Sequence, residues 1–206
     1  MTKKVIFVFF TVVTVVFLLF VSMEPSVKSA PMNIVIEAAR GQIGVTVAYD
    51  SAYSRITYPG GDVPMDRGVC TDVIIRAYRH AGIDLQVLVH EDMSTHWADY
   101  PGIWGLSRPD ANIDHRRVPN LEVFFRRHAT ILPVTSDAAN YQPGDIVTWR
   151  LDNGRPHIGL VSASFFGPRV IHNIGRGARE EAVLFSYRIV GHFRYTIPNN
   201  VNRAFR

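Results

Sequence analysis

The chain contains one cysteine, and it stands where thiol chemistry is favoured. Cys70 opens the segment CTDVIIRAYRHAG, whose apolar spacing predicts a helix that starts at the thiol. Unpaired N–H groups and the helix dipole at that end favour the thiolate, which is the nucleophilic form. The alternative is a small core side chain, because free cysteines are often buried.

A cysteine nucleophile needs a base within hydrogen-bond reach and a third group that orients the base. His157 begins the predicted strand HIGLVSASF, and His172 lies in the next predicted strand, RVIHNI. A hairpin across FFGPR would place both imidazoles on one face, where one could serve as base and the other as its orienting residue. Gly159 would leave space beside His157 for a helix or a substrate. For either histidine alone, a structural role is the alternative.

The densest polar stretch, NIDHRRVPN at residues 112–120, predicts a loop that lines the cleft. Within it, Arg116 or Arg117 is a candidate for binding a substrate carboxylate. Asp114 and His115 are further candidates, and so is Asp72 in the first turn of the helix that Cys70 starts. The alternative is a solvated loop held by local Asp–Arg pairs.

The N-terminal 30 residues predict export. Lys3 and Lys4 precede an uncharged apolar run, Val5–Val21. The run is long for a signal peptide and short for a spanning helix, so cleavage and retention as an inner-membrane anchor both stay open. Residues 31–206 are then a single periplasmic domain, where a lone cysteine indicates a free thiol or an intermolecular bridge.

Charge and motifs exclude several classes of function. Of 22 Lys and Arg, the three lysines precede residue 31, which leaves 19 arginines against 17 of the 18 acidic residues. So small an excess, without a basic stripe, argues against nucleic-acid binding. No paired cysteines, HExxH motif, phosphate loop or dinucleotide fingerprint occurs, so we predict neither a metal nor a cofactor. The sequence leaves the oligomeric state undetermined.

Helical patterns come first and strand patterns afterwards, which predicts an α+β fold. A first helix is predicted to end at Gly41, with Ile36, Ala39 and Ile43 facing inward. A helix NLEVFFRRH is predicted with Asn120 as its N-cap. The predicted antiparallel strands are GDIVTWRL, HIGLVSASF, RVIHNI and RIVGHFRYTI, and GRGARE is interpreted as a turn between two of them.

Four segments in order, GVCTDV, YQPGDIV, HIGLV and IHN, resemble the NlpC/P60 branch of the papain-like cysteine hydrolases. The whole chain is also similar to an exported bacterial family of unknown function within that superfamily. The resemblance implies N-terminal helices packed on a C-terminal antiparallel sheet. It also implies a site of Cys70 as nucleophile, His157 as base and His172 as orienting residue.

The resemblance leaves two details of the site open. Asn173 is a second candidate for the orienting role and a possible substrate contact, although on a regular strand it faces away from His172. The family pattern has Asp-Cys-Ser at the nucleophile, whereas this chain has Val69 and Thr71 beside Cys70. That departure leaves the substrate undetermined.

The function that follows is an exported cysteine hydrolase that cleaves amide bonds in a cell-envelope peptide or peptidoglycan fragment. Two alternatives use the same fold: a binding module without turnover, and an acyl or thioester hydrolase.

Overall fold

The computed structural model describes residues 29–196, which form four α-helices and a six-stranded antiparallel sheet. The helices are α1 (Ser29–Arg40), α2 (Cys70–His80), α3 (Leu85–Thr95) and α4 (Val118–His128). The strands are β1 (Ala48–Tyr49), β2 (Arg67–Gly68), β3 (Thr130–Ile131), β4 (Ile146–Arg150), β5 (Pro156–Ser164), β6 (Gly167–Asn173), β7 (Ala178–Glu181) and β8 (Arg188–Arg194). The predicted order, helices first and strands afterwards, is confirmed for the six strands of the main sheet, whereas β1 and β2 precede α2.

The main sheet has the strand order β3-β8-β4-β5-β6-β7, and every neighbouring pair is antiparallel. Strands β1 and β2 form a separate short parallel pair just before α2. The apolar run Val5–Val21 lies outside the described residues. Among residues 29–196, no helix is both long and apolar enough to cross a membrane.

Helix α2 is the central helix and is buried along almost its whole length. It begins at Cys70 and ends before Gly82, which adopts a positive φ of 82° as residues after a helix C-terminus often do. Its apolar residues join one core cluster with α1, α4 and the helix-facing side chains of the sheet. The start of the helix is thereby held against the middle of the sheet.

The hairpin of β5 and β6 sorts its side chains onto two faces. Leu160 pairs with Ile171, and both lie in the helix-side core together with Ile158. Val161 pairs with Val170, and both lie in a second cluster on the opposite face. His157 and His172 alternate with the helix-side residues, so the predicted shared face of the two imidazoles is confirmed.

Three local predictions are wrong. Asn120 is not an N-cap: α4 begins earlier, with Arg117 as N-cap and Pro119 in its first turn, while the buried Asn120 side chain donates to the Asp114 carbonyl. Ile43 is 41% exposed, because α1 ends at Arg40 and the chain turns away. The segment GRGARE is only partly a turn, because its last three residues form most of β7.

Candidate active site

Cys70 is the first residue of α2 and is only 3% exposed. The nearby backbone N–H groups of Ile158, Thr71 and Cys70 itself each act to lower the pKa of the thiol. The carboxylate of Asp72 accepts the Val69 N–H at 2.6 Å, which caps the helix from within its first turn. The thiol is therefore held at the helix start, against the beginning of β5.

The thiol is protonated at rest. Burial raises the pKa of Cys70 to about 12, and the charge of Asp72 adds to that effect. The N–H groups around the sulfur act in the opposite direction but are outweighed. The sequence predicted a thiolate favoured by the helix start, and the structure shows that desolvation dominates instead.

The two predicted histidines are in direct contact. Nε2 of His157 lies 2.8 Å from Nδ1 of His172, and Nε2 of His172 lies 3.0 Å from Oε2 of Glu181. The ring of His157 also packs on Trp149, with ring centroids 5.7 Å apart. Three side chains from β5, β6 and β7 therefore form a continuous hydrogen-bonded chain across the sheet.

Both imidazoles are neutral near pH 7. Burial, with a smaller effect of His172, lowers the pKa of His157 to about 3. Burial also lowers the pKa of His172, and the contact with Glu181 only partly offsets it. A neutral imidazole with a free nitrogen is a proton acceptor, which is the form that a general base needs.

The hydrogen-bonded chain from Glu181 through His172 ends at His157, next to Ile158, which lies near the thiol. The Cys70 sulfur lies against the N–H of Ile158, one residue after His157. Ile158 faces the helix-side core and His157 the opposite face, so the first residues of β5 separate thiol and imidazole. Among the described residues no hydrogen bond joins Cys70 to His157, and Nδ1 of His157 has no partner.

A cleft of about 520 Å³ opens at Cys70. Its lining is mostly aromatic and apolar, and two arginines complete it. The lining residues are Tyr49, Ser51, Tyr53, Val69, Cys70, Ile103, Trp104, Ile113, Arg116, Arg117, Val118, Pro119 and Pro156. Of the six predicted substrate contacts, Arg116 and Arg117 are in this lining, whereas Asp72, Asp114, His115 and Asn173 are not.

Arg116 and Asp72 form a buried ion pair. The guanidinium contacts the two carboxylate oxygens at 2.8 and 2.9 Å. It also reaches the carbonyls of Asp50 and Ala52, in the loop that forms one wall of the cleft. Both charges are thus engaged with each other, and together they fix that wall to the start of α2.

Asp114 and His115 lie beside the cleft but not in its lining. The Asp114 carboxylate accepts from Arg117 at 2.9 Å, and Arg117 also lies over the Trp104 ring at 4.1 Å. His115 is 2% exposed, and burial lowers its pKa to about 3. Its Nδ1 is buried and has no hydrogen-bond partner within residues 29–196.

Asn173 holds the backbone around the site. Its amide donates to the carbonyls of Gly68 and Ala48, at 2.9 and 3.1 Å. It therefore faces the helix side and ties β6 to the residues before Cys70. His172, on the opposite face, is the residue that contacts His157, as the strand alternation predicted.

Two features of the site were not foreseen. Glu181 was missed because its strand carries Ala, Arg and Glu in place of the β-branched residues that mark strands. Gly159 is needed for a different reason than the one predicted. A Cβ there would lie 2.4 Å from Val170 Cγ1 and 3.3 Å from His172 Cβ, so strand side chains, not a helix or a substrate, occupy the space.

Within residues 29–196, no group of three His, Cys, Asp or Glu side chains is placed to hold a metal ion.

Comparisons with known proteins give a family without an assigned function. Residues 36–195 match the family model of a domain of unknown function, DUF1287. The uncharacterised protein YijF of Escherichia coli K12 is 60% identical over 164 residues, which cover 78% of this chain and 80% of YijF. A Staphylococcus aureus Mu50 protein described as similar to lipoprotein, NLP/P60 family, is 13% identical with a TM-score of 0.43. That match covers 82% of this chain and 42% of the other.

Proposed function

The chain belongs to the DUF1287 family of unknown function, and we propose that it is an exported, papain-like cysteine hydrolase of the NlpC/P60 type that cleaves amide bonds. One observation carries the proposal. The chain of contacts from Glu181 through His172 to His157 ends, at an unpartnered ring nitrogen, beside the residue that holds the Cys70 thiol. That is the composition of a nucleophile, a base and an orienting group.

In the proposed reaction, the thiol proton passes to Nδ1 of His157 through an intervening water, because the start of β5 separates the two groups, as the Cys70 sulfur bonds to the carbonyl carbon. The resulting imidazolium then gives that proton to the leaving amine as the C–N bond breaks, which leaves a thioester on Cys70. His157 next takes a proton from water, whose oxygen attacks the thioester, and returns the proton to the departing sulfur. His172 holds the ring of His157 through both steps.

Backbone N–H groups at the helix start are suited to the oxyanion. Those of Cys70 and Thr71, together with the Ile158 N–H on β5, lie near the sulfur. Once the sulfur is bonded to carbon, the same donors lie next to the developing negative charge. Because the thiol pKa is raised to about 12, proton transfer to His157 accompanies attack, and no thiolate–imidazolium pair forms beforehand.

The proposed substrate is a cell-envelope peptide or peptidoglycan fragment reached after export. Both arginines in the cleft already contact carboxylates, Arg116 that of Asp72 and Arg117 that of Asp114. We therefore assign Arg116 to holding the cleft wall, and assign recognition to the aromatic lining around Cys70. A trapped acyl-enzyme of defined mass would distinguish amide cleavage from the hydrolysis of an acyl ester or thioester.

The test uses the single thiol. Wild-type protein and Cys70→Ala are incubated with envelope peptides, and turnover and intact mass are followed. We expect turnover and a transient acyl adduct with the wild type alone, with the exposed His96→Gln as a control that behaves as wild type. Full activity of Cys70→Ala would show that the nucleophile assignment is wrong.

Iodoacetamide gives a second measurement on the same thiol. The thiolate fraction rises tenfold per pH unit below the pKa, so with a pKa of about 12 the labelling rate is expected to rise about tenfold per unit between pH 7 and 10. A plateau below pH 8 would indicate an ion-paired thiolate and contradict the neutral resting state.

The second candidate function is a binding module that has the fold but no turnover. It is favoured by a specific observation: the thiol is 3% exposed and makes no hydrogen bond to His157 among the described residues. Peptide binding that is unchanged in Cys70→Ser, without an acyl adduct in the wild type, would support this candidate over the hydrolase.

A further inference from the structure

We propose that Glu181 is a positioning residue that fixes the tautomers of His172 and His157 and thereby leaves the lone pair of His157 on Nδ1. The use of that lone pair as a base rests on the proposed function. The tautomer assignment itself does not, because it follows from the hydrogen-bond chain and from the neutral state of the two buried imidazoles.

The carboxylate of Glu181 determines where His172 carries its proton. An ionised carboxylate only accepts hydrogen bonds, so the 3.0 Å contact between Glu181 Oε2 and His172 Nε2 requires a proton on that nitrogen. A neutral imidazole carries one N–H, so Nδ1 of His172 bears a lone pair. Glu181 therefore determines which nitrogen of His172 is the acceptor.

The contact between the two imidazoles then determines which nitrogen of His157 is protonated. Its Nε2 lies 2.8 Å from Nδ1 of His172, and since that nitrogen is an acceptor, Nε2 of His157 must donate. The single proton of a neutral His157 is then on Nε2, and Nδ1 carries the lone pair. With the opposite tautomers, the lone pair of His172 Nε2 would face the oxygen of Glu181, which is repulsive.

Strand β7 places Glu181 on the correct face for this role. Glu181 pairs with Val170 on β6, so its side chain shares the face of the two histidines. Glu180 precedes it and points to the other face, where it binds Arg40 and Ser162. The two glutamates are thus neighbours in sequence with separate surroundings, which makes one the matched control for the other.

The test is nitrogen NMR of the imidazoles in the full-length protein labelled with ¹⁵N-histidine, because protonated and unprotonated ring nitrogens have distinct shifts. In the wild type we expect His157 in the Nε2–H form only. In Glu181→Gln the amide can donate to His172 or accept from it, so we expect signals of both tautomers. Glu181→Asp should restore the single form, and Glu180→Gln should leave it unchanged.

The outcomes separate this inference from the proposed function. A single unchanged tautomer in Glu181→Gln, or the same mixture in Glu180→Gln, would overturn the role of Glu181, whatever the activity of the protein. A tautomer mixture confined to Glu181→Gln supports the role, even where Cys70→Ala leaves all activity intact and the hydrolase proposal fails. Where the wild type hydrolyses a peptide, turnover in Glu181→Gln should fall in proportion to the fraction of His157 in the Nδ1–H form, about twofold for an equal mixture, since that tautomer has no lone pair on Nδ1.

Discussion

Two contacts between a histidine and a carboxylate lie on the same sheet and differ in how they end. His192 contacts Asp145 at 2.8 Å and the Pro133 carbonyl at 3.1 Å, so both ring nitrogens are used. The Asp145 carboxylate is fully occupied as well, since it also accepts from Arg194 and from the N–H of Gln142. This network is closed, and it ties β8 to the turn before β4.

The contact between His172 and Glu181 is open at its far end. It continues to His157, whose Nδ1 has no partner among the described residues, and His157 lies one residue from the contact of the Cys70 thiol with β5. A closed network contributes stability, whereas an open one presents a proton acceptor. The comparison shows that a buried histidine–carboxylate pair does not by itself indicate catalysis.

The largest expected effect comes from replacing one histidine of each network with glutamine. His157→Gln removes the proposed base, so hydrolysis should fall about 10²- to 10⁴-fold while the protein stays folded. His192→Gln should lower the melting temperature and leave the turnover of the folded protein near that of the wild type. Peptide hydrolysis and thermal melts measure both, and equal losses of turnover in the two variants would contradict the distinction.

Replacing the two carboxylates should lower stability more in the closed network than in the open one. Asp145→Asn leaves His192 and Arg194 with a neutral partner in a buried position, at a cost of about 3 kcal/mol in the free energy of unfolding. Glu181→Gln acts at a side chain that is 27% exposed, and should cost less than about 1 kcal/mol. Urea unfolding measures both, and a larger loss at Glu181 would make it a structural residue.

Local patterns in the sequence predicted those parts of the site that follow from the spacing of apolar residues in helices and strands. The helix at Cys70 and the two strands of the histidine hairpin follow from apolar spacing, and the shared face of His157 and His172 follows from strand alternation. Gly82 also ends α2 as its conformational freedom implies. These features need only a few neighbouring residues, so one sequence contains enough information for them.

What could not be predicted depends on contacts between distant residues. The buried pair of Arg116 and Asp72 joins residues 44 positions apart, and an exposed arginine in the same stretch would read identically in the sequence. The thiol pKa depends on how deeply tertiary packing buries Cys70, which outweighs the helix start that the sequence does reveal. Glu181 reaches His172 only because β7 pairs with β6, and β7 lacks the residues that mark a strand.

The burial of His157 should make the stability of the protein depend on pH, with a smaller change per pH unit than the losses above. The pKa of His157 is lowered from 6.5 to about 3 in the folded protein. Between these two values His157 is protonated in the unfolded chain and neutral in the folded one. Stability is therefore present above pH 6.5 and lost as the pH falls toward 3, by up to about 1.4 kcal/mol per pH unit for this residue.

Urea unfolding between pH 7 and 4 measures this slope. His157→Gln should flatten it by about one proton, and His115→Gln should do the same, because burial lowers the pKa of His115 to about 3 as well. The exposed His96→Gln serves as control. An unchanged slope in His157→Gln would mean that this imidazole is hydrated, which would also weaken the case for a shielded base.

The smallest expected effect concerns the cleft. Cys70 is the only thiol, so the rates at which different reagents alkylate it report what the cleft admits. Trp104, Tyr49 and Tyr53 line the cleft, and both of its arginines already contact carboxylates. We therefore expect Cys70 to react with the neutral, aromatic N-phenyl iodoacetamide in preference to the anionic iodoacetate. After correction for the intrinsic reactivity of the two reagents, the preference should be about three- to tenfold, which corresponds to one aromatic contact. Trp104→Ala should remove most of that preference, measured by intact mass at a fixed pH. A preference for iodoacetate would instead mean that Arg116 or Arg117 attracts anions although it contacts a carboxylate. It would support the sequence-based prediction that one of these arginines binds a substrate carboxylate.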